Sequence, residues 1–449
     1  MRTLILAAAL IAVSPFAAFA QTPAPAAPSA SVRAMAAGYK ALTVCSALKT
    51  AEAAGGTRTL ESVEANELTG IYPELDALVR EMPVEVSAGG TSVAWDEAMP
   101  PRRAVWSPGR GCAIMPVGWR GDEIAIRPPG RPSDQTFATG EPAGNVALLN
   151  EAVEQAFEGG YGEGSNTTAV LVLQNDRVVA EEYALGFGPD TPQRTWSVAK
   201  SLAGTVIGAA VRRGEADVNA PAAIADWSRD GDPRAAITLD QLMRMASGLI
   251  SDTAGNRTDA LYFGGVGVDE QVTTWPLIAP PGTRFRYANN DILLSILAIA
   301  PTFEAHPPAE LFRRLGMNDT WAETDWRGNY MLSSQVWSTA RDLARFGRLY
   351  LNDGMVDGQR VLPEGWREHV SRPSGPQPPT GEQGYGATFW LFNKSDGIPA
   401  DAISANGNRG QYVIIVPSRN IVIVRRGEDP AGKPFNFIPF TRDVLAALD

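Results

Sequence analysis

Ser197-Val198-Ala199-Lys200 sets a hydroxyl and an amine three residues apart, at the start of an apolar-periodic stretch. On a helix these positions share a face, so the two groups can touch. A lysine held there, desolvated and neutral, can take the serine's proton, which makes a nucleophile without histidine. The chain has only His306 and His369, so a serine–histidine route is poorly supplied. Lysine is also scarce, at positions 40, 49, 200, 394 and 433. One other Ser-x-x-Lys exists, Ser46-Ala47-Leu48-Lys49, but no supporting motif surrounds it and it reads as coincidence.

Two later segments could complete such a site. Tyr287-Ala288-Asn289 stands in a loop before an expected helix over 291–300. Its phenol can serve as base or relay if a charged Lys200 lowers its pKa, and its amide offers a donor and an acceptor. Alone, the pair reads equally as a buried tyrosine beside a turn asparagine. The second segment is Ser404-Ala405-Asn406-Gly407-Asn408-Arg409-Gly410-Gln411. Its glycines allow a strand edge to approach a substrate closely. A backbone N–H there could join that of Ser197 in an oxyanion hole. A plain hairpin turn is the alternative.

These residues need elements to hold them. A helix over 146–157 leads into strands 169–173 and 178–183, with Asn175-Asp176 as the hairpin turn. Leu202, Ala203, Val206, Ile207, Ala210 and Val211 give the Ser197 helix its 3.6-residue period, and Gly214 lies just beyond. Thr238-Leu239-Asp240-Gln241 is a capping box opening a helix that is expected to stop at Gly248. Thr339 begins another, with Leu343, Phe346 and Tyr350 on one face. Strands 412–416 and 421–425 and a helix over 440–448 close the chain. Strands thus flank a helical middle, which suits one antiparallel sheet built from both ends of this unit, with helices packed on it.

The whole chain bounds the possibilities. Its 449 residues exceed one typical domain, and a net charge of −11 without a basic block excludes nucleic acid as a partner. Residues 1–20 read as a secretory signal cut after Ala20, leaving no stable membrane anchor; a retained anchor is the alternative. Residues 21–31 form a Pro/Ala-rich linker, and residues 32–130 a small N-terminal module with helices over 32–49 and 60–81. A run of prolines at 128–132 ends it, and the second unit spans 143–449. Export to an oxidising compartment, periplasmic or extracellular, favours a Cys45–Cys112 disulfide over two buried thiols.

Together, the three ordered motifs resemble those of the serine β-lactamase and penicillin-binding-protein superfamily. The Tyr-x-Asn form is similar to the class C branch and to its esterase and 6-aminohexanoate-dimer-hydrolase relatives. The resemblance covers about residues 145–449. It implies an α/β fold of the α+β type, an antiparallel sheet with a helical subdomain, with the N-terminal α+β module outside the match. It also implies Ser197 as nucleophile, Lys200 as its partner, Tyr287 as acid/base and Asn289 as a substrate ligand. Ala405-Asn406-Gly407 falls where the family often has Lys-Thr-Gly, His-x-Gly or Trp-Gly-Gly, and Asn408 would then give the second oxyanion N–H. Ala405 departs from that pattern, because the missing lysine would bind a carboxylate; Arg409 is one candidate to replace it. The expected activity is acyl transfer from a small ester or amide, with no metal or organic cofactor. The alternatives are a penicillin-binding sensor module, or a β-lactamase or D-Ala-D-Ala peptidase.

Overall fold

The computed structural model describes residues 27–121, 137–250 and 258–449. The signal segment, most of the linker and the proline run at 128–132 lie outside the described residues. A seven-stranded antiparallel sheet organises the chain. Its order across the sheet is Gly384–Tyr385, Trp390–Leu391, Ile403–Gly407, Gln411–Val416, Ile421–Gly427, Thr167–Gln174 and Arg177–Tyr183. Ile421–Gly427 pairs with Thr167–Gln174, from Ile421 opposite Gln174 to Gly427 opposite Thr167, so strands from early and late in the second unit meet within one sheet. The turn that joins Thr167–Gln174 to Arg177–Tyr183 has Asn175 at φ 52° and Asp176 at φ 62°. Positive φ at both central residues matches the right-handed twist of the flanking strands.

Strand Thr167–Gln174 is buried at every position, because helices cover both faces. Alternate residues Leu171, Leu173, Val422 and Val424 face one layer, against Val206, Ile207 and Phe346. Val170, Val172, Ile414 and Ile423 face the other, against Leu149, Val153, Val444 and Leu445. The period of two along each strand thus feeds two separate cores. The first layer contains helices Val198–Arg213 and Ala340–Leu351; the second contains Val146–Phe157 and Phe437–Ala447.

Most expected elements appear within a residue or three of their predicted ends, and three differ. The stretch 60–81 is two helices, Leu60–Ala65 and Pro73–Glu81. Gly70, at φ 66°, turns the chain between them, and Pro73 starts the second where its missing N–H costs nothing. The capping box of Thr238 and Gln241 is present, but its helix stops at Met243. The helix after Tyr287 spans Asn289–Ala298, so Asn289 stands in its first turn and not in the preceding loop.

The N-terminal residues pack a long helix, Ala30–Ala53, on a four-stranded sheet over Val84–Ile114. A Cys45–Cys112 disulfide ties the helix to that sheet. Their core continues into the second unit: Tyr39, Val44 and Trp106 share one apolar cluster with Trp196, Trp321 and Trp337. Glu323 sits at this junction. It accepts the Ser46 hydroxyl at 2.5 Å, the Cys112 N–H at 3.0 Å and the Trp337 indole N–H at 3.2 Å. Burial pushes its carboxyl up to about 7. The second Ser-x-x-Lys is therefore structural, since Ser46 serves this junction and Lys49 pairs with Glu52 at the surface. Among the described residues, no helix is long and apolar enough to cross a membrane.

Candidate active site

Ser197 caps the N-terminus of helix Val198–Arg213, yet its side chain makes no capping hydrogen bond. A serine there ordinarily satisfies its own helix. The hydroxyl points instead toward Lys200, whose Nζ lies 2.9 Å away. The preceding residue, Trp196, holds φ 50°, which is strained for a bulky side chain. That turn sets the angle at which the serine leaves the strand Gln193–Arg194. The Arg194 guanidinium lies 3.7 Å over the Trp196 ring and helps hold it.

Lys200 is 1% exposed. Besides Ser197, its Nζ meets Asn289 Oδ1 at 2.6 Å and the Ser333 carbonyl at 2.7 Å. No carboxylate is among these three partners. Burial, and then the Arg194 charge, hold the amine well below the usual lysine range. A neutral amine has two N–H bonds and one lone pair. Asn289 and Ser333 offer only acceptors, so they take the two N–H bonds, and the lone pair is left for the Ser197 hydroxyl. This arrangement can accept a proton from the serine. The ammonium so formed still finds three acceptors.

The Tyr287 phenol neighbours the side chains of Ser197 and Trp390. Burial pushes its phenol up to about 12, and these neighbours oppose the rise only in part. The expectation of a tyrosine acidified by a charged Lys200 is thus reversed. Burial favours the neutral form of both groups, the amine of Lys200 and the phenol of Tyr287. The Lys200 amine lies 5.1 Å from the Tyr287 ring centre.

Strand Ile403–Gly407 forms the facing wall. Ala405 is buried in the core under the site, so position 405 carries no charge toward a substrate. Arg409 does not replace the missing lysine. Its guanidinium is spent on Glu428 at 2.8 Å and on the carbonyls of Asn66, Thr69 and Gly70. Gly407 lies close against the turn before the nucleophile. A Cβ there would stand 2.4 Å from the Thr195 carbonyl oxygen and 3.2 Å from the Ser197 nitrogen. Gly407→Ala must therefore push the strand off the turn. We expect kcat to fall about 100-fold from this misplacement, while the thermal midpoint, measured in parallel, shows a folded protein.

A cleft of about 410 Å³ joins these groups, with Ser197, Tyr287, Asn289, Gly407 and Asn408 in its lining. All five were expected from sequence to meet here. Sequence reading missed Ser333, which acts through its main-chain carbonyl and so leaves no side-chain signal. It also missed Tyr262, which bonds the Ser333 hydroxyl at 2.5 Å, and Trp390 across the cleft. Tyr262 ends the four-residue helix Asp259–Tyr262, too short for a periodicity to mark it. Among the described residues, the lining contains no Lys, Arg, Asp or Glu.

A helix-covered antiparallel sheet with a serine, a lysine and a tyrosine clustered at one helix start defines a serine hydrolase of the β-lactamase and penicillin-binding-protein superfamily. The sequence model of the Beta-lactamase family matches residues 152–426, and the chain belongs to that family. It is similar to the 6-aminohexanoate-dimer hydrolase of Paenarthrobacter ureafaciens, 28% identical over 368 residues that cover 75% of this chain and 88% of the relative. A Bacillus anthracis protein assigned as a 6-aminohexanoate-dimer hydrolase has a similar solved structure. Its TM-score is 0.53 at 25% identity, covering 63% of this chain and 78% of that one. The octameric penicillin-binding protein homologue of Pyrococcus abyssi shares the fold, with a TM-score of 0.52 at 17% identity, over 67% of this chain and 77% of its own.

Proposed function

We propose that the protein is an exported hydrolase that cleaves ester or amide bonds of small, uncharged substrates through an acyl-enzyme on Ser197. The observation that carries this reading is the Lys200 amine, buried without a carboxylate and held against the Ser197 hydroxyl by two carbonyl acceptors. Ser197 Oγ attacks the carbonyl carbon as its proton passes to Lys200. The N–H groups of Ser197 and Asn408 receive the developing oxyanion. The ammonium then returns the proton, relayed by the Tyr287 phenol, to the departing oxygen or nitrogen. Water repeats these steps on the acyl-enzyme and frees the acid.

The uncharged lining supports esters and amides over carboxylate-bearing β-lactams or D-Ala-D-Ala peptides, because no cation of the described residues stands ready for a carboxylate. Amide hydrolysis is also what the name of the Paenarthrobacter ureafaciens relative describes. The disulfide supports export. A fluorophosphonate probe tests the nucleophile: one equivalent should add to Ser197, located by peptide mass. A parallel panel of p-nitrophenyl esters, a linear amide and nitrocefin tests the substrate class, with nitrocefin turned over slowest. Label on another residue would overturn the mechanism, and efficient nitrocefin turnover the substrate class.

Tyr287→Phe separates the proton roles. Loss of a general acid costs about 10² to 10⁴ when the leaving group needs its proton. We expect that loss for the linear amide. A p-nitrophenyl ester, whose leaving group departs as a stable anion, should lose much less.

A further inference from the structure

The cleft does not end at Ser197. A second cavity of about 310 Å³ opens from it past the Asn408 edge, sharing Tyr72, Trp196, Gly407, Asn408 and Tyr412 with the first. Its far walls are the bend Gly70–Pro73 and the loop Asp429–Pro434. Both lie outside the span 152–426 matched to the family.

These walls are firmly held. Arg409 donates to the carbonyls of Asn66, Thr69 and Gly70 at 2.8–2.9 Å. The Ala431 N–H donates to the Gly70 carbonyl at 2.7 Å, which ties one wall to the other. Tyr72 packs edge-on against Trp196, their ring centres 6.4 Å apart, and against Tyr39 at 6.1 Å. Two charged residues line the space, but each is neutralised within the protein. Arg409 pairs with Glu428 at 2.8 Å, and Asp429 takes two hydrogen bonds from Arg425 at 2.8 and 3.0 Å. What remains toward a ligand is mostly ring and aliphatic surface from Ile71, Tyr72, Trp196, Tyr412 and Pro430.

Direction follows from chemistry. The leaving group must reach the proton donor, and Tyr287 and Trp390 line the first cavity only. The second cavity lies past Gly407 and Asn408 and is not lined by Tyr287 or Trp390, which leaves it for the part of the substrate that stays on the serine.

We propose that this cavity is an acyl subsite for an uncharged, extended or aryl-ended acyl chain, with Tyr72 and Trp196 as its specificity-determining walls. This rests on the acyl-enzyme reading above. The experiment uses p-nitrophenyl esters with one leaving group and a graded acyl part: acetyl, butanoyl, hexanoyl and 3-phenylpropanoyl. In the wild type, kcat/KM should climb along the series. Tyr72→Ala and Ala431→Trp, the second filling the space from an exposed loop position, should each cut the 3-phenylpropanoyl-to-acetyl ratio about tenfold or more, within the range expected for lost apolar contacts. Tyr72→Phe should keep the ratio. Fluorophosphonate titration of Ser197 counts competent enzyme in every sample. Normal labelling with a flat acyl series in the wild type, or an unchanged ratio in either cavity variant, overturns the subsite alone. No labelling of wild-type Ser197 overturns the acyl-enzyme reading and this proposal with it.

Discussion

Ser197→Ala is expected to abolish turnover of every ester and amide the enzyme accepts, a loss on the order of 10⁶ in kcat. The remaining donors and walls can still bind substrate but have no oxygen to receive the acyl group. The fold should be almost untouched. An N-terminal capping serine usually contributes about 1 kcal/mol to its helix, but this one makes no capping bond. The thermal midpoint of the variant should therefore stay close to that of the wild type, with fluorophosphonate labelling gone. Undiminished hydrolysis by pure Ser197→Ala protein would remove Ser197 from the mechanism.

Lys200 carries the second large effect, and two substitutions divide its possible roles. Lys200→Met removes the proton acceptor and should lower kcat/KM by about 10² to 10⁴. Lys200→Arg keeps a long basic side chain but one that stays protonated. If the lysine works as a neutral base, arginine rescues nothing; if it works as a fixed positive charge, arginine restores much of the rate. We expect no rescue. The pH profile follows with a definite sign. Burial and Arg194 lower the Lys200 pKa in the folded enzyme, so the amine is neutral above that lowered value and protonated below it. Activity should rise with pH through that value and hold above it, where an ordinary lysine would still be charged. A rate that instead falls as pH rises toward neutrality would sink the neutral-amine mechanism.

How much of this could be read in advance depended on the kind of signal each residue leaves. The Ser197 helix announced itself through six apolar positions at helical spacing, and the hairpin at Asn175-Asp176 through residues that tolerate positive φ. Ser197, Lys200, Tyr287 and Asn289 were legible because side-chain type and order both mattered. The protonation states were not. They follow from burial and from carbonyls such as that of Ser333, which any residue type could supply. Arg409 was misread for a related reason. Its position beside the strand suggested a substrate ligand, whereas its contacts reach back to residues 66–70, far away in sequence. The break in the 60–81 stretch was signalled by Gly70 and Pro73, but the apolar residues on either side masked it.

The sheet's strand order also has a consequence in time. Ser197 and Lys200 are made early in the second unit, yet Asn408 and the strands that hold it come nearly half the chain later. The pair of Thr167–Gln174 with Ile421–Gly427 cannot form until residue 427 has been made. Such distant pairings are slow to close. During synthesis the proposed nucleophile therefore exists without the proposed oxyanion donor of Asn408, and an unfinished chain carries the serine without the complete site. On this reading, activity begins only when these two distant strands meet.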